Sequence, residues 1–212
     1  MCIRDSTEMV NMANKTIRPL IEIYTSRFEY QNAKAVFRAI HNEVSVDEVG
    51  NSILPETNDV NTPWLKVVES CDDMKSAAAL MRRKSFGAAL AKVPENGTLA
   101  DYEDALDRHY YAASQRALLQ SKGAPARFLS RLFAAEIDHK NIVNILEANA
   151  VGIDNERLVS LLIPGGRLVP KRAFSTIATG GKEAMLDLLR AGDQFDNCLL
   201  YTSDAADEVR SV

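Results

Sequence analysis

Glu136-Ile137-Asp138-His139-Lys140-Asn141-Ile142, then Ile145-Leu146, then Leu162-Ile163-Pro164-Gly165-Gly166, decides the fold because a version of it occurs twice. The looser copy stands 109 residues earlier, as Phe28-Glu29-Tyr30-Gln31-Asn32-Ala33-Lys34 with Pro55 downstream. At that shift, and without a gap, Arg18 falls on Arg127, Leu20 on Leu129, Asn32 on Asn141, Ala39 on Ala148 and Pro55 on Pro164. Apolar positions follow: Ile23 with Leu132, Val36 with Ile145, Phe37 with Leu146, Ile53 with Leu162, Leu65 with Phe174 and Val68 with Ile177. Two expected caps coincide as well, Ser45 with Asp154 and Ser70 with Thr179. Caps and core positions obey different physics, so their agreement indicates duplication rather than chance amphipathicity.

Around the motif the period is helical. Leu20, Tyr24, Ala33, Val36, Phe37 and Ile40 recur at spacings of three, four and seven, the apolar stripe of a core-facing helix. Ser45-Val46-Asp47-Glu48 reads as a capping box for a short helix, and Thr62-Pro63 as a cap followed by proline at the first helical position. Ser70 to Asp73 predict the start of a helix over 74–91, which Pro94 to Gly97 break before Thr98 caps the next. That helix carries Leu99, Tyr102, Leu106, Tyr110 and Ala113 on one side. After a turn at Gly123 to Pro125, a long helix reaches Ala150, with Phe128, Leu132, Ile142, Ile145 and Leu146 apolar, and Gly152 ends it. No alternating strand pattern emerges, and the fold class is all-α.

Composition bounds the function. The net charge of −4 argues against a general nucleic-acid binder, which needs clustered Lys and Arg. No apolar run approaches the ~20 residues of a membrane span, and nothing has the order of a signal peptide. The ends read as scars. Met1-Cys2-Ile3-Arg4-Asp5-Ser6 can be encoded by DNA whose reverse complement, shifted in frame, gives Cys198-Leu199-Leu200-Tyr201-Thr202. That is the pattern of a translated sequencing adapter, so residues 1–6 and 198–212 are expected to be adapter-like artefacts. The remainder divides into a first helical repeat at 7–97, incomplete at its start, and a second at 98–197. Of the three cysteines only Cys71 lies inside these repeats, which excludes a disulfide framework and a thiolate metal cluster.

The repeated acid-x-x-Asn helix, short capped helix and Ile/Leu-Pro resemble the C subunit of archaeal A-type (V/A-type) ATP synthases, related to the d subunit of the V-type ATPase. The resemblance covers most of residues 18–190 and is strongest over 98–190. It implies two of the three pseudo-repeated helical domains of a funnel-shaped, non-catalytic subunit. Such a subunit serves ATP synthesis and ion transport, hydrogen ions included, as a central-stalk connector. Its implied partners are the rotor-shaft subunits of the ATPase head and the membrane proteolipid ring. Its implied place is peripheral, on the cytoplasmic face of the membrane, with no span and no cofactor. Within the motif, Asp138 and Asn141 are three apart and share a helix face. A polar pair there can fix register between domains. The favoured role for the motif residues Glu29, Asn32, Pro55, Asp138, Asn141, Pro164, Gly165 and Gly166 is internal, each polar group satisfying a nearby backbone group rather than touching a rotor subunit.

Other constellations carry less. His139 beside Asp138 and Glu136 points to a different helix face and has no second His at ligand spacing; His41 and His109 stand isolated. Pro164-Gly165-Gly166 and Gly180-Gly181-Lys182 lack the spacing of a phosphate loop and read as a turn and a helix start. Met81-Arg82-Arg83-Lys84 reads as a solvated helix face. Cys71, near a helix start, could have a lowered thiol pKa but reads better as a packed small residue. The alternative function is a helical-repeat protein-binding scaffold, although such solenoids use units nearer 35–45 residues.

Overall fold

The structure, a computed structural model, describes residues 11–13, 15, 17–50, 52–53 and 62–190. Pro55 and the adapter-like segments 1–6 and 198–212 lie outside the described residues. Among the described residues every regular element is helical: α1 (Arg18–Thr25), α2 (Arg27–His41), α3 (Val46–Val49), α4 (Thr62–Ser70), α5 (Met74–Leu80), α6 (Gly87–Leu90), α7 (Leu99–Leu119), α8 (Ala124–Val151), α9 (Asn155–Leu161) and α10 (Phe174–Arg190).

The long helices α2 and α8 stop in the same way. At the end of α8, Gly152 takes φ 70 and Ile153 N donates to Ala148 O at 2.9 Å. At the end of α2, Glu43 takes φ 55 and Val44 N donates to Ala39 O at 2.9 Å. The same six-to-one closure of a left-handed C-terminus therefore recurs at aligned positions, once with glycine and once without. Next in line, Asp154 caps α9 by accepting from Arg157 N at 2.9 Å. Its counterpart Ser45 holds the N-cap position of α3 with extended backbone but without the expected side-chain bond.

Two boundaries and one buried face differ from expectation. The helix expected over 74–91 starts at the expected place, where the Asp73 side chain accepts from Ser76 N. It then narrows to a 3-10 turn at Met81–Arg83, and Lys84 goes extended before α6. The break lets Met81 and Phe86 both enter the core, which an unbroken helix would place on different faces. Thr179 is not a cap: it and the two glycines after it lie inside α10, and its hydroxyl bonds back to Ser175 O and Thr176 O. In α8, Phe128 is 69% and Leu146 40% exposed, because the buried stripe runs instead through Leu129, Phe133, Ile137, Ile145 and Ala148. Elsewhere Thr98 forms the capping box with Asp101 that opens α7, and Gly123 and Pro125 flank the start of α8.

Two compact units, Met1–Ser130 and Arg131–Val212, divide inside α8. In the first, α7 packs on α2. Phe37 stacks on Tyr102 at 4.7 Å between ring centroids, Tyr30 meets Tyr110 at 5.2 Å, and Lys34 pairs with Asp107 at 2.6 Å. At the 109-residue shift residues 104–109 have no counterpart and the rest of α7 falls on the chain ends 1–10 and 208–212, so repetition alone could not assign α7 to a unit. In the second unit, Ile145, Ala148, Leu158, Leu162, Val169, Ala173, Phe174 and Ile177 form one buried cluster.

Candidate functional site: a clamp between helix and loop

Helix α8 presents Asp138, Asn141 and Asn144 at successive intervals of three, a polar row running beside the buried Ile137 and Ile145. Such a row survives burial only if each group is bonded. Each one is. Asn144 Nδ2 donates to Leu161 O at 3.2 Å, meeting a carbonyl left open by the end of α9. Asn141 Nδ2 donates to Ile163 O at 2.8 Å while its Oδ1 accepts from Ile163 N at 2.7 Å. These two bonds fix the amide's orientation and satisfy both backbone groups of one residue, just before Pro164, which has no N–H to offer.

Asp138 completes the row. Its carboxylate accepts from Arg167 N at 2.9 Å, from Leu168 N at 3.0 Å and from Val169 N at 2.9 Å. Three successive amides aimed at one anion make a nest, filled here by the protein's own side chain. Asp138 is 3% exposed and Asn141 fully buried, so hydrogen bonds to backbone replace their hydration. Pro164 and Gly165 are exposed at the turn, where Gly165 takes φ 115. Gly166 backs onto the carboxylate: a Cβ added there would fall on Asp138 Oδ1. The Pro-Gly-Gly run is therefore a turn whose third residue makes room for the acid.

The aligned residues of the first unit make a different arrangement. Asn32 is fully buried, like Asn141. Glu29, in the place of Asp138, instead accepts from Lys84 Nζ at 2.9 Å, and that ammonium lies 4.6 Å from the centroid of the buried Trp64 ring. Of the basic run 81–84, then, Met81 is core, Lys84 is paired, and only Arg82 and Arg83 are exposed.

Sequence reasoning missed two things here. Asn144 was legible as the next member of the i, i+3 row. The pairing of His109 was not: its Nδ1 lies 2.8 Å from the Tyr30 hydroxyl across 79 residues of chain, so His109 is not isolated. Burial, with the Arg116 cation second, holds the His109 imidazole below its usual range. The neutral ring can accept from the hydroxyl. Burial pushes the Cys71 thiol up, with Asp73 and Asp72 adding to the shift, opposite to an activated thiolate. Among the described residues no group of His, Cys, Asp and Glu could hold a metal ion, and His139 and His41 are exposed.

A carboxylate fully engaged by amides and an amide fully engaged by one residue can hold a loop; neither is presented to a substrate. That fits the comparisons with known proteins. The family model described as ATP synthase (C/AC39) subunit matches residues 2–208. The chain belongs to this family. Among curated proteins, the C subunit of the A-type ATP synthase of Methanococcoides burtonii is 22% identical over 76% of the chain and 44% of its own length. That of Haloquadratum walsbyi is 25% identical over 95% of the chain and 60% of its own length. That of Pyrococcus horikoshii is 26% identical over 85% and 47%. The chain thus spans about half the length of the curated relatives it matches. No solved structure matches it at a significant level. As a C/AC39-family subunit it is all-helical among the described residues, and no described helix is long and apolar enough to cross a membrane.

Proposed function

We propose that the parent of this chain is a non-catalytic central-stalk connector of a rotary A/V-type ATP synthase. It would receive the rotor shaft on one side, seat on the membrane proteolipid ring on the other, and pass torque between them on the cytoplasmic face. Family membership supports the complex. The observation that carries the mechanical part is the clamp: Asp138, Asn141 and Asn144 tie the 161–169 segment to the longest described helix by hydrogen bonds to its backbone. A part that transmits twist must not absorb it, and packed, fully bonded interiors deform little.

In this reading the acid-x-x-Asn motif does internal work. Glu29 and Asn32 in the first unit, and Asp138, Asn141, Pro164, Gly165 and Gly166 in the second, hold loops to helices so that other surfaces keep their places. The test is affinity purification of the tagged full-length parent from native membranes. Recovery with shaft and proteolipid subunits is the expected result. A partner set free of ATPase subunits would overturn the connector reading and favour a general helical scaffold.

A further inference from the structure

The loop that the clamp holds carries three exposed cations in six residues, Arg167, Lys171 and Arg172. Among the described residues, none of the three makes an ion pair or a side-chain hydrogen bond with another. In the first unit Lys34, Arg38 and Lys84 each have a carboxylate across the fold, whereas Arg82, Arg83 and Lys92 are exposed like these three but lie on segments that no clamp holds. Nor does the scaffold need charge at these places, because the aligned residues of the first copy are Asn58, Thr62 and Pro63. Lys171 and Arg172 also sit in the 3-10 turn that leads into α10. Cations at the N-terminal end of a helix oppose its dipole and cost stability. Three unpaired cations, two of them unfavourably placed, stand on a loop whose amides are fixed by a buried carboxylate.

From this we infer that the 163–173 loop is a docking surface for an acidic patch on another protein. A span of six residues puts the outer Cα atoms at most about 18 Å apart, and the clamp holds that spacing. Fixed spacing suits discrete carboxylates, which arginine forks recognise by geometry as well as charge. Attachment to an anionic membrane calls for denser basic clusters, of about four to eight residues. Duplex or single-stranded nucleic acid calls for a basic stripe that a chain of net charge −4 lacks. The choice of a protein partner rests on the connector reading, which places the chain among other subunits.

Two measurements test it. Binding of the full chain to poly-L-glutamate is compared for the unaltered protein, for R167Q/K171Q/R172Q, and for R82Q/R83Q/K92Q, which removes equal charge from exposed sites of the first unit. We expect the first triple to weaken binding about tenfold and the second less than about twofold, with similar melting curves for all. D138N raises the net charge by one, so unspecific attraction would strengthen binding; release of the loop should weaken it. Equal losses in the two triples, or preference for phosphatidylserine vesicles or DNA over poly-L-glutamate, would overturn the assignment. In the purified complex, Lys171 should react with an acetylating reagent at least about fivefold more slowly than in the isolated chain, while Lys92 does not change. Co-purification with Lys171 equally reactive in both would remove the docking surface and leave the connector standing. A chain that joins no ATPase would sink the connector, and the poly-L-glutamate series would still decide the loop.

Discussion

In the second unit the motif acid, Asp138, is buried and gives its oxygens to three consecutive amides. In the first, its counterpart Glu29 is about one-third exposed and takes the Lys84 ammonium instead. One methylene and one cation separate the two solutions. The shorter acid fits against Gly166 and organises a loop; the longer one reaches a neighbouring helical segment and anchors it over Trp64. At aligned positions the two polar rows hold different things. The difference also ranks the two sites energetically, since buried bonds to backbone resist loss far more than a half-exposed ion pair.

The sharpest way to break the comparison is therefore to remove each acid. Asp138→Ala orphans three loop amides, that of Val169 buried and those of Arg167 and Leu168 half-buried, and should destabilise the second unit by about 2–4 kcal/mol in denaturant melts. Glu29→Ala should cost no more than about 1 kcal/mol. Equal costs would mean that Asp138 does not hold the loop.

Much of this was legible beforehand, for reasons that differ by residue. Long helices, the Thr98 box and the Gly152 terminus depend on local chemistry, which a sequence displays directly. So does the acid-x-x-Asn row, whose spacing defines a face. The identity of what that face holds is not local: nothing in Asp138 itself announces the amides of residues 167–169. The break at Lys84 was hidden for the same reason, because it serves the burial of Phe86, a tertiary gain that overrides helical periodicity. Assignment of α7 to the first unit depends on aromatic contacts with Tyr30 and Phe37 across many tens of residues.

Smaller perturbations sharpen the same contrast. Gly166→Ala pushes a methyl group onto Asp138 and should cost about 1–3 kcal/mol in thermal melts, relieved in the background of Asp138→Ala. Such relief would be absent if the glycine served only the turn. At the aligned helix ends the signs should oppose: Gly152→Ala destabilises by about 1 kcal/mol, whereas Glu43→Gly stabilises by about 0.5 kcal/mol or is neutral. A loss on Glu43→Gly would show that this side chain has work beyond the terminus.

The gentlest probe is pH. His109 in the first unit has a depressed pKa in the fold, so the unfolded chain binds its proton more readily. Stability from this group is present above the unfolded value near 6.5 and is lost as pH falls through the lower folded value. Melts taken across that window should show the first unit weakening on acidification, and H109Q should flatten the trend.

The most direct test of the account is amide hydrogen exchange at Ile163, Arg167, Leu168 and Val169. Each of these amides donates to Asn141 or Asp138, so all four should exchange slowly, at rates approaching those of the α8 core, despite lying in an irregular loop. Asp138→Asn should release the last three while Ile163, held by Asn141, stays protected longer. Fast exchange of all four in the unaltered protein would contradict the clamp, and with it the rigid loop on which the connector reading stands.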